Sequence, residues 1–276
     1  MPRAANTRLS TGCSSSGKAS PRAATGLRMI FLLKAVKIDP RILYGKALSG
    51  MHTIENWSAP AQIFSPEAGR LHLWRIDLDA TGEKDPAHLL SEDELERARR
   101  FLSDEDRHRF VRARSAMRTI LGQYLETAPE ELAFVYGPQG KPFLVSPATV
   151  LAFNLSHSGG LALLAVSRET ALGIDLERPR DRPNLPAIAR RVFDAEVQQE
   201  LARLDGAALT QAFFFFWTGL EARMKALGNG IFTTRQPTRD ADLKIRHFIP
   251  EKGYMAAVAM EQNTPPPADW ETWLFT

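Results

Sequence analysis

Apolar and polar positions fall into clear periods only from about residue 70 onward, and those periods mark the elements. Leu71, Leu73, Ile76 and Leu78 stand among polar residues and read as a strand, Leu71-His-Leu-Trp-Arg-Ile-Asp-Leu78. Ser91, with Glu94 three residues on, forms a capping-box signature that opens a helix through Leu95 and Ala98 to about Phe101. A second helix starts near Ser103; its stripe Phe110, Val111, Met117, Ile120, Leu121 and Leu125 suits a face turned to a core. Residues 137–142, Gly-Pro-Gln-Gly-Lys-Pro, read as a turn. Residues 151–155 and 161–166 read as a strand pair and 171–176 as a third strand. A long helix over 210–227 carries the run Phe213-Phe-Phe-Phe-Trp217, and 243–249 and 254–260 read as closing strands.

The two halves are alike at this grain. Each has a strand carrying Ile-Asp-Leu (Ile76 to Leu78, Ile174 to Leu176), then helices, then further strands. The expected fold is α+β, with two similar subdomains over residues 70–150 and 151–262 and a tail over 263–276. Residues 1–28 have no hydrophobic period and cannot bury enough apolar surface to offset the entropy of ordering. Residues 1–50 therefore read as a disordered or mis-assigned extension, with Met29 and Met51 as alternative starts; a transit-like role also suits its Arg/Ser-rich composition.

Charge sharpens that division. Residues 1–50 hold nine Lys and Arg against one acid, a net +8, whereas the whole 276-residue chain is +3, so residues 51–276 carry −5. The basic character belongs to the extension, and the mildly acidic body argues against nucleic acid as a partner. No apolar run approaches the roughly 20 residues that span a bilayer, so the expected location is cytoplasmic, with no membrane partner. The lone Cys13 excludes an internal disulfide or a cysteine metal cluster.

The candidate chemistry lies in four places. Asp175 and Glu177, two apart on a strand, share a face; they are either a solvated strand end or two carboxylates that need a cation between them. Glu221 and Lys225 lie one helical turn apart, either as a surface ion pair or as a buried acid and base beside the aromatic run. Phe153-Asn-Leu-Ser156-His157-Ser-Gly-Gly160 ends a strand in polar residues and glycines, as a hairpin turn or a ligand-binding loop. Adjacent residues on a strand point to opposite faces, which argues against direct activation of Ser156 by His157. Residues 92–118 mix seven acids with eight arginines, yet 107–118 contain no acid. That stretch is either a salt-bridged surface or a phosphate clamp, with Lys141 as a further point charge.

Together these segments resemble the 4′-phosphopantetheinyl transferases, specifically the surfactin-type group with two fused, pseudo-twofold-related subdomains. The resemblance covers about residues 71–260. Gly-Ile-Asp175-Leu-Glu177 is similar to the first family signature, Trp217-Thr-Gly-Leu-Glu221-Ala-Arg-Met-Lys225 to the second (Trp-x-x-Lys-Glu-Ala-x-x-Lys), Phe153-Asn-Leu-Ser-His157-Ser to a third segment, and Gly140-Lys-Pro142 to a turn. The resemblance implies transfer of phosphopantetheine from coenzyme A to a serine of an acyl or peptidyl carrier protein, releasing 3′,5′-ADP. It implies Mg²⁺ (or Mn²⁺) on Asp175, Glu177 and Glu221, with Glu221 also as base and Lys225 steadying the leaving phosphate. It places coenzyme A against Lys141, Ser156 and His157, to which Arg97 and Arg114 are added from their place in the arginine-rich helices. A monomer is expected. One departure stands out: Leu220, preceded by Gly219, replaces the signature lysine. The alternative it raises is a degenerate member that binds coenzyme A or a carrier protein without transfer.

Overall fold

The computed structural model describes residues 50–80, 86–137, 140–168, 172–227, 243–261 and 265–276. The expectation of disorder over the extension falls, but for residue 50, outside them.

Ten strands, β1 (His52–Thr53), β2 (Leu71–Asp77), β3 (Ala133–Tyr136), β4 (Pro142–Ser146), β5 (Leu151–Ser158), β6 (Leu161–Arg168), β7 (Leu172–Glu177), β8 (Leu243–Ile249), β9 (Met255–Glu261) and β10 (Glu271–Phe275), occur among the described residues. The α-helices there are α1 (Glu92–Arg99), α2 (Asp104–Leu125), α3 (Leu185–Val192), α4 (Ala195–Leu201) and α5 (Gly206–Leu227). The result is a mixed α/β fold with two four-stranded sheets. One runs β10-β2-β6-β5, the other β1-β8-β9-β7, and β3 with β4 forms a separate hairpin. Strands β5 and β6, from the segment read as the second half, pair in the sheet of β2. The tail returns as β10, parallel to β2.

Alternation along β2 explains the layering. Leu71 and Leu73 join a core with Ile174, Val258 and Met260 of the other sheet, while Trp74, Ile76 and Leu78 join Met117, Ile120 and Leu121 of α2. The two sheets therefore face each other. Helix α2 covers the outer face of one, and α5 packs through Ala222 and Ala226 against Ala257 and Ala259 of the other. The opposite stripe of α5, Phe213, Phe216 and Leu220, is buried with α3 and α4.

Helix α1 starts as its capping residues dictate: Glu94 accepts from the Ser91 backbone N–H at 3.2 Å. The same carboxylate, 1% exposed, takes the Arg118 Nε–H at 2.7 Å, so the cap also locks α1 onto α2. Helix α5 begins four residues before the expected Thr210. The described elements β1, the β3–β4 hairpin, α3, α4 and β10 have no counterpart in the sequence reading.

Candidate active site

The site forms where β7 passes under the last turns of α5. Asp175 and Glu177 project from one face of β7, and Gly173 stands two residues before Asp175. A Cβ built on Gly173 would lie 2.0 Å from the Ala222 carbonyl oxygen and 2.4 Å from the Ala226 nitrogen. Only a glycine lets the helix backbone come this close. That approach brings Lys225 Nζ within 2.7 Å of Asp175 Oδ1, and within 3.1 Å of Ser156 Oγ and 3.0 Å of the Ile174 carbonyl. Lys225 is thus engaged three times, against Asp175 above all.

The electrostatics are those of crowded, buried acids. Asp175 and Glu221 are 5% and 6% exposed, and Asp175 Oδ2 and Glu221 Oε1 find no hydrogen-bond partner within the protein. Burial, then the Asp175 charge, pushes Glu177 up to about 7. The same two causes in the same order push Glu221 up to about 8. Asp175 is also raised, by burial, against the pull of Lys225. Lys225 is itself raised: burial works against its charge, but Asp175 and Glu221 outweigh it. Ser156 Oγ donates to Asp175 Oδ1 at 3.0 Å, and Ser158 Oγ to Glu177 Oε2 at 3.0 Å.

A hard cation fits this donor set, since two buried carboxylate oxygens stand without partners and, after burial, the Asp175 charge raises both Glu177 and Glu221. As placed, though, no three His, Cys, Asp or Glu side chains among the described residues close around one point. Substrate oxygens and water would complete such a shell, as Mg²⁺ commonly requires.

Beside the acids lies a basic cleft. One part, about 210 Å³, is lined by Arg97, Arg114, Lys141, His157, Glu221 and Lys225 among others. A second, about 560 Å³, adjoins it through the shared Phe101 and His157 and reaches Glu177, Arg178, Arg180 and Arg182. The guanidinium groups of Arg97 and Arg114 each lie over the Phe110 ring, 5.6 and 5.4 Å from its centroid. Lys141 Nζ donates to the carbonyls of Leu172 and Lys225 at 3.1 and 2.7 Å. Burial, then the nearby Lys225, lowers its pKa to about 8. His157 is exposed, yet desolvation by the surrounding cleft, followed by Lys225, Arg114 and Arg97, lowers its pKa.

The structure thus gathers Asp175, Glu177, Glu221, Lys225, Lys141, His157, Arg97 and Arg114 around one cleft. Ser156 stands apart: it is buried and its hydroxyl turns to Asp175 and Lys225. Other arginines of the basic stretch are engaged by groups of the protein itself, although Arg109 also lines the larger part of the cleft. Arg118 is buried on Glu94, Arg109 grips Asp79 at 2.6 and 2.8 Å, Arg107 pairs with Asp104, and Arg112 donates to the Asp77 carbonyl.

Comparison with known proteins decides the family. A model of the 4′-phosphopantetheinyl transferase superfamily matches residues 171–272, and a model of the 4′-phosphopantetheinyl transferase N-terminal part matches residues 84–169. Over 206 residues the chain is 39% identical to 4′-phosphopantetheinyl transferase HetI of Nostoc sp., spanning 69% of this chain and 87% of that one. The chain belongs to the 4′-phosphopantetheinyl transferase superfamily. Further relatives are 4′-phosphopantetheinyl transferase AcpT of Salmonella typhi (39% over 113 residues, 41% of this chain and 57% of that one) and the 4′-phosphopantetheinyl transferase of Bacillus subtilis (30% over 154 residues, 55% and 66%).

In this transferase the departures in the second signature have local explanations. Leu220 is 1% exposed and packs in the aromatic cluster with Phe213 and Phe216, on the side of α5 away from the acids. Gly219 makes room for His247, whose Nε2 would stand 2.9 Å from a Cβ added there. That ring stacks on Phe215 at 3.8 Å and its Nε2 bonds the Phe215 carbonyl at 2.9 Å. Sequence reasoning missed Gly173 and Ser158. The signal for Ser158 was present: Asn154, Ser156 and Ser158 put polar groups at every second position of a strand whose other residues, His157 apart, are apolar.

Proposed function

We propose that this transferase moves 4′-phosphopantetheine from coenzyme A to a serine of an acyl or peptidyl carrier protein and releases 3′,5′-ADP. The observation that carries the reading is the cluster of Asp175, Glu177 and Glu221 around Lys225, with two unpartnered buried oxygens, opening on a cleft that holds Arg97, Arg114, Lys141 and His157. Acids of this kind suit a divalent ion, and the cations beside them suit phosphates. Mg²⁺, or Mn²⁺, held by the three carboxylates would help neutralise the negative charge of the pyrophosphate as it breaks.

The residues of the chain divide the remaining work. In the transfer, the carrier serine oxygen bonds the phosphorus of the phosphopantetheine arm, and the bond from that phosphorus to the bridging oxygen breaks. Glu221, a carboxylate raised by burial, takes the serine proton directly or through a water. Lys225 keeps its positive charge in the cleft against Asp175 and stabilises the negative charge left on 3′,5′-ADP. Arg97, Arg114, Lys141 and His157 hold the phosphates of coenzyme A, and Ser156 acts from below by holding Asp175.

The surfactin-type assignment, with its pseudo-twofold pair of subdomains, is supported by two sheets packed face to face with a long helix outside each. The degenerate alternative rested on Leu220 and Gly219; the Leu220 side chain belongs to the core, and Gly219 makes room for the His247 ring. The decisive experiment incubates purified protein with a panel of apo carrier proteins, coenzyme A and Mg²⁺ and weighs the products. An added phosphopantetheine mass is expected. None on any carrier would leave the binding-only reading standing.

A further inference from the structure

Strand β7 is at the edge of its sheet: β9 pairs with one side, and among the described residues no strand pairs with the other. An open edge presents backbone groups that need partners. Here side chains supply them. The N–H of Ile174 donates to Asn154 Oδ1 at 2.8 Å, that of Leu176 to Ser156 Oγ at 3.2 Å, and that of Arg178 to Ser158 Oγ at 3.1 Å. The separation is 20 residues each time, so β5 and β7 run in parallel and in register, joined by side chains in place of a backbone ladder. On the carbonyl side, Leu172 accepts from Lys141 and Ile174 from Lys225.

The two serine rungs each do a second thing. Ser156 Oγ donates to the carboxylate of Asp175 and Ser158 Oγ to that of Glu177, in both cases the residue just before the N–H it accepts. A hydroxyl has one proton to give and two lone pairs to receive, so the paired bonds fix the hydroxyl direction and with it the carboxylate rotamer. We infer that the Asn154–Ser156–Ser158 side-chain ladder aligns the edge of β7 and orients Asp175 and Glu177 for a divalent cation, with Ser158 as the positioning residue of Glu177. The inference rests on the metal reading given above.

Ser158 is the rung to test, because it touches neither Lys225 nor the buried Leu176 N–H. Its partner N–H, at Arg178, lies at an exposed position where water can replace the hydroxyl, so its loss should cost little stability. The probe is Mn²⁺ alone, titrated into the full chain without coenzyme A and followed by the electron paramagnetic resonance of free Mn²⁺. Groups that orient metal ligands commonly change affinity by roughly 10–100-fold when removed. Ser158→Ala is expected to weaken Mn²⁺ binding by about 10-fold or more, with a thermal unfolding midpoint close to that of the unmodified protein. Ser158→Thr, which keeps the hydroxyl, is expected to bind as the unmodified protein does. Ser158→Cys keeps the volume with a weak donor; it is expected to weaken binding too, and it carries the test should the alanine variant not fold. Unchanged affinity in the Ala and Cys variants, with Glu177→Gln weakened, overturns the ladder and leaves the metal site standing. Equal weakening by Thr and Ala also overturns it. No Mn²⁺ binding by the unmodified protein, or full binding by Glu177→Gln, sinks the metal reading and the ladder with it.

Discussion

Glu221 is held against its own interest as a charge: its Oε1 lacks a partner within the protein, and burial, followed by the charges of Asp175 and Glu177, raises its pKa to about 8. Such a residue is tuned for a ligand at the expense of stability. Glu221→Gln is therefore expected to lower transfer by at least ~10²-fold, through loss of a base and a ligand, while the metal-free protein melts no lower than before. A clear fall in the melting midpoint would mean that the carboxylate is a structural group. Position 220 makes the opposite case. The family signature has a lysine there, and the sequence alone suggests a charge missing beside the site. In the fold the side chain faces Phe213 and Phe216. Leu220→Lys would bury an unpaired ammonium, so a loss of about 3–5 kcal/mol in denaturant unfolding is expected, with no gain in transfer. A hundredfold faster transfer in that variant would instead mark the native site as degenerate.

At the scale of elements, the close packing of α5 on β7 carries the site. The helix lies over Gly173, and it turns the small residues Gly219, Ala222 and Ala226 toward the sheet. Gly173→Ala puts a methyl group 2.0 Å from a helix carbonyl, so helix and strand have to part. Overpacking of this kind costs ~1–3 kcal/mol, and moving Glu221 and Lys225 by about an ångström from Asp175 is expected to lower transfer by roughly 10²-fold. Thermal unfolding and the carrier mass shift read the two effects; a variant with native melting and native transfer would show that the contact is slack. The sequence made the partners visible but not their meeting. The periods of β2, α2, β5 to β9 and α5 are strong enough to read, because each turns at least one face to a core, and β2 and β6 turn both. Helices α3 and α4 run only 8 and 7 residues, and β10 follows three prolines, so their periods were too brief to register. The polar stripe of β5 is legible as a stripe. That it serves β7 depends on two strands from different sheets meeting edge to edge, which no local pattern encodes.

For the molecule as a whole, the acid cluster sets a pH dependence that can be isolated from the rest. Glu177 and Glu221 rise from the ordinary 4.5 to about 7 and about 8 in the folded protein. Between 4.5 and 8 the native state thus keeps protons that the unfolded chain has released, and stability falls as pH rises through that window. His72, His157 and His247 are all lowered from 6.5, so the unfolded chain binds the extra proton and they act with the opposite sign, but only below 6.5. Lys141, lowered from 10.5 to about 8, adds stability with rising pH only above 8. The interval from pH 6.5 to 8 therefore belongs to the acid cluster, in which Asp175, also raised by burial, acts with the same sign as the two glutamates. In the presence of chelator, the melting midpoint is expected to drop across it, and Glu221→Gln should flatten the drop. Mg²⁺ should raise the midpoint more at pH 8 than at 6.5, since a cation binds the deprotonated acids and competes with their protons. A midpoint that climbs from 6.5 to 8 without metal, or a slope unchanged in Glu221→Gln, would mean that the acids are not the buried, mutually repelling group on which the whole site depends.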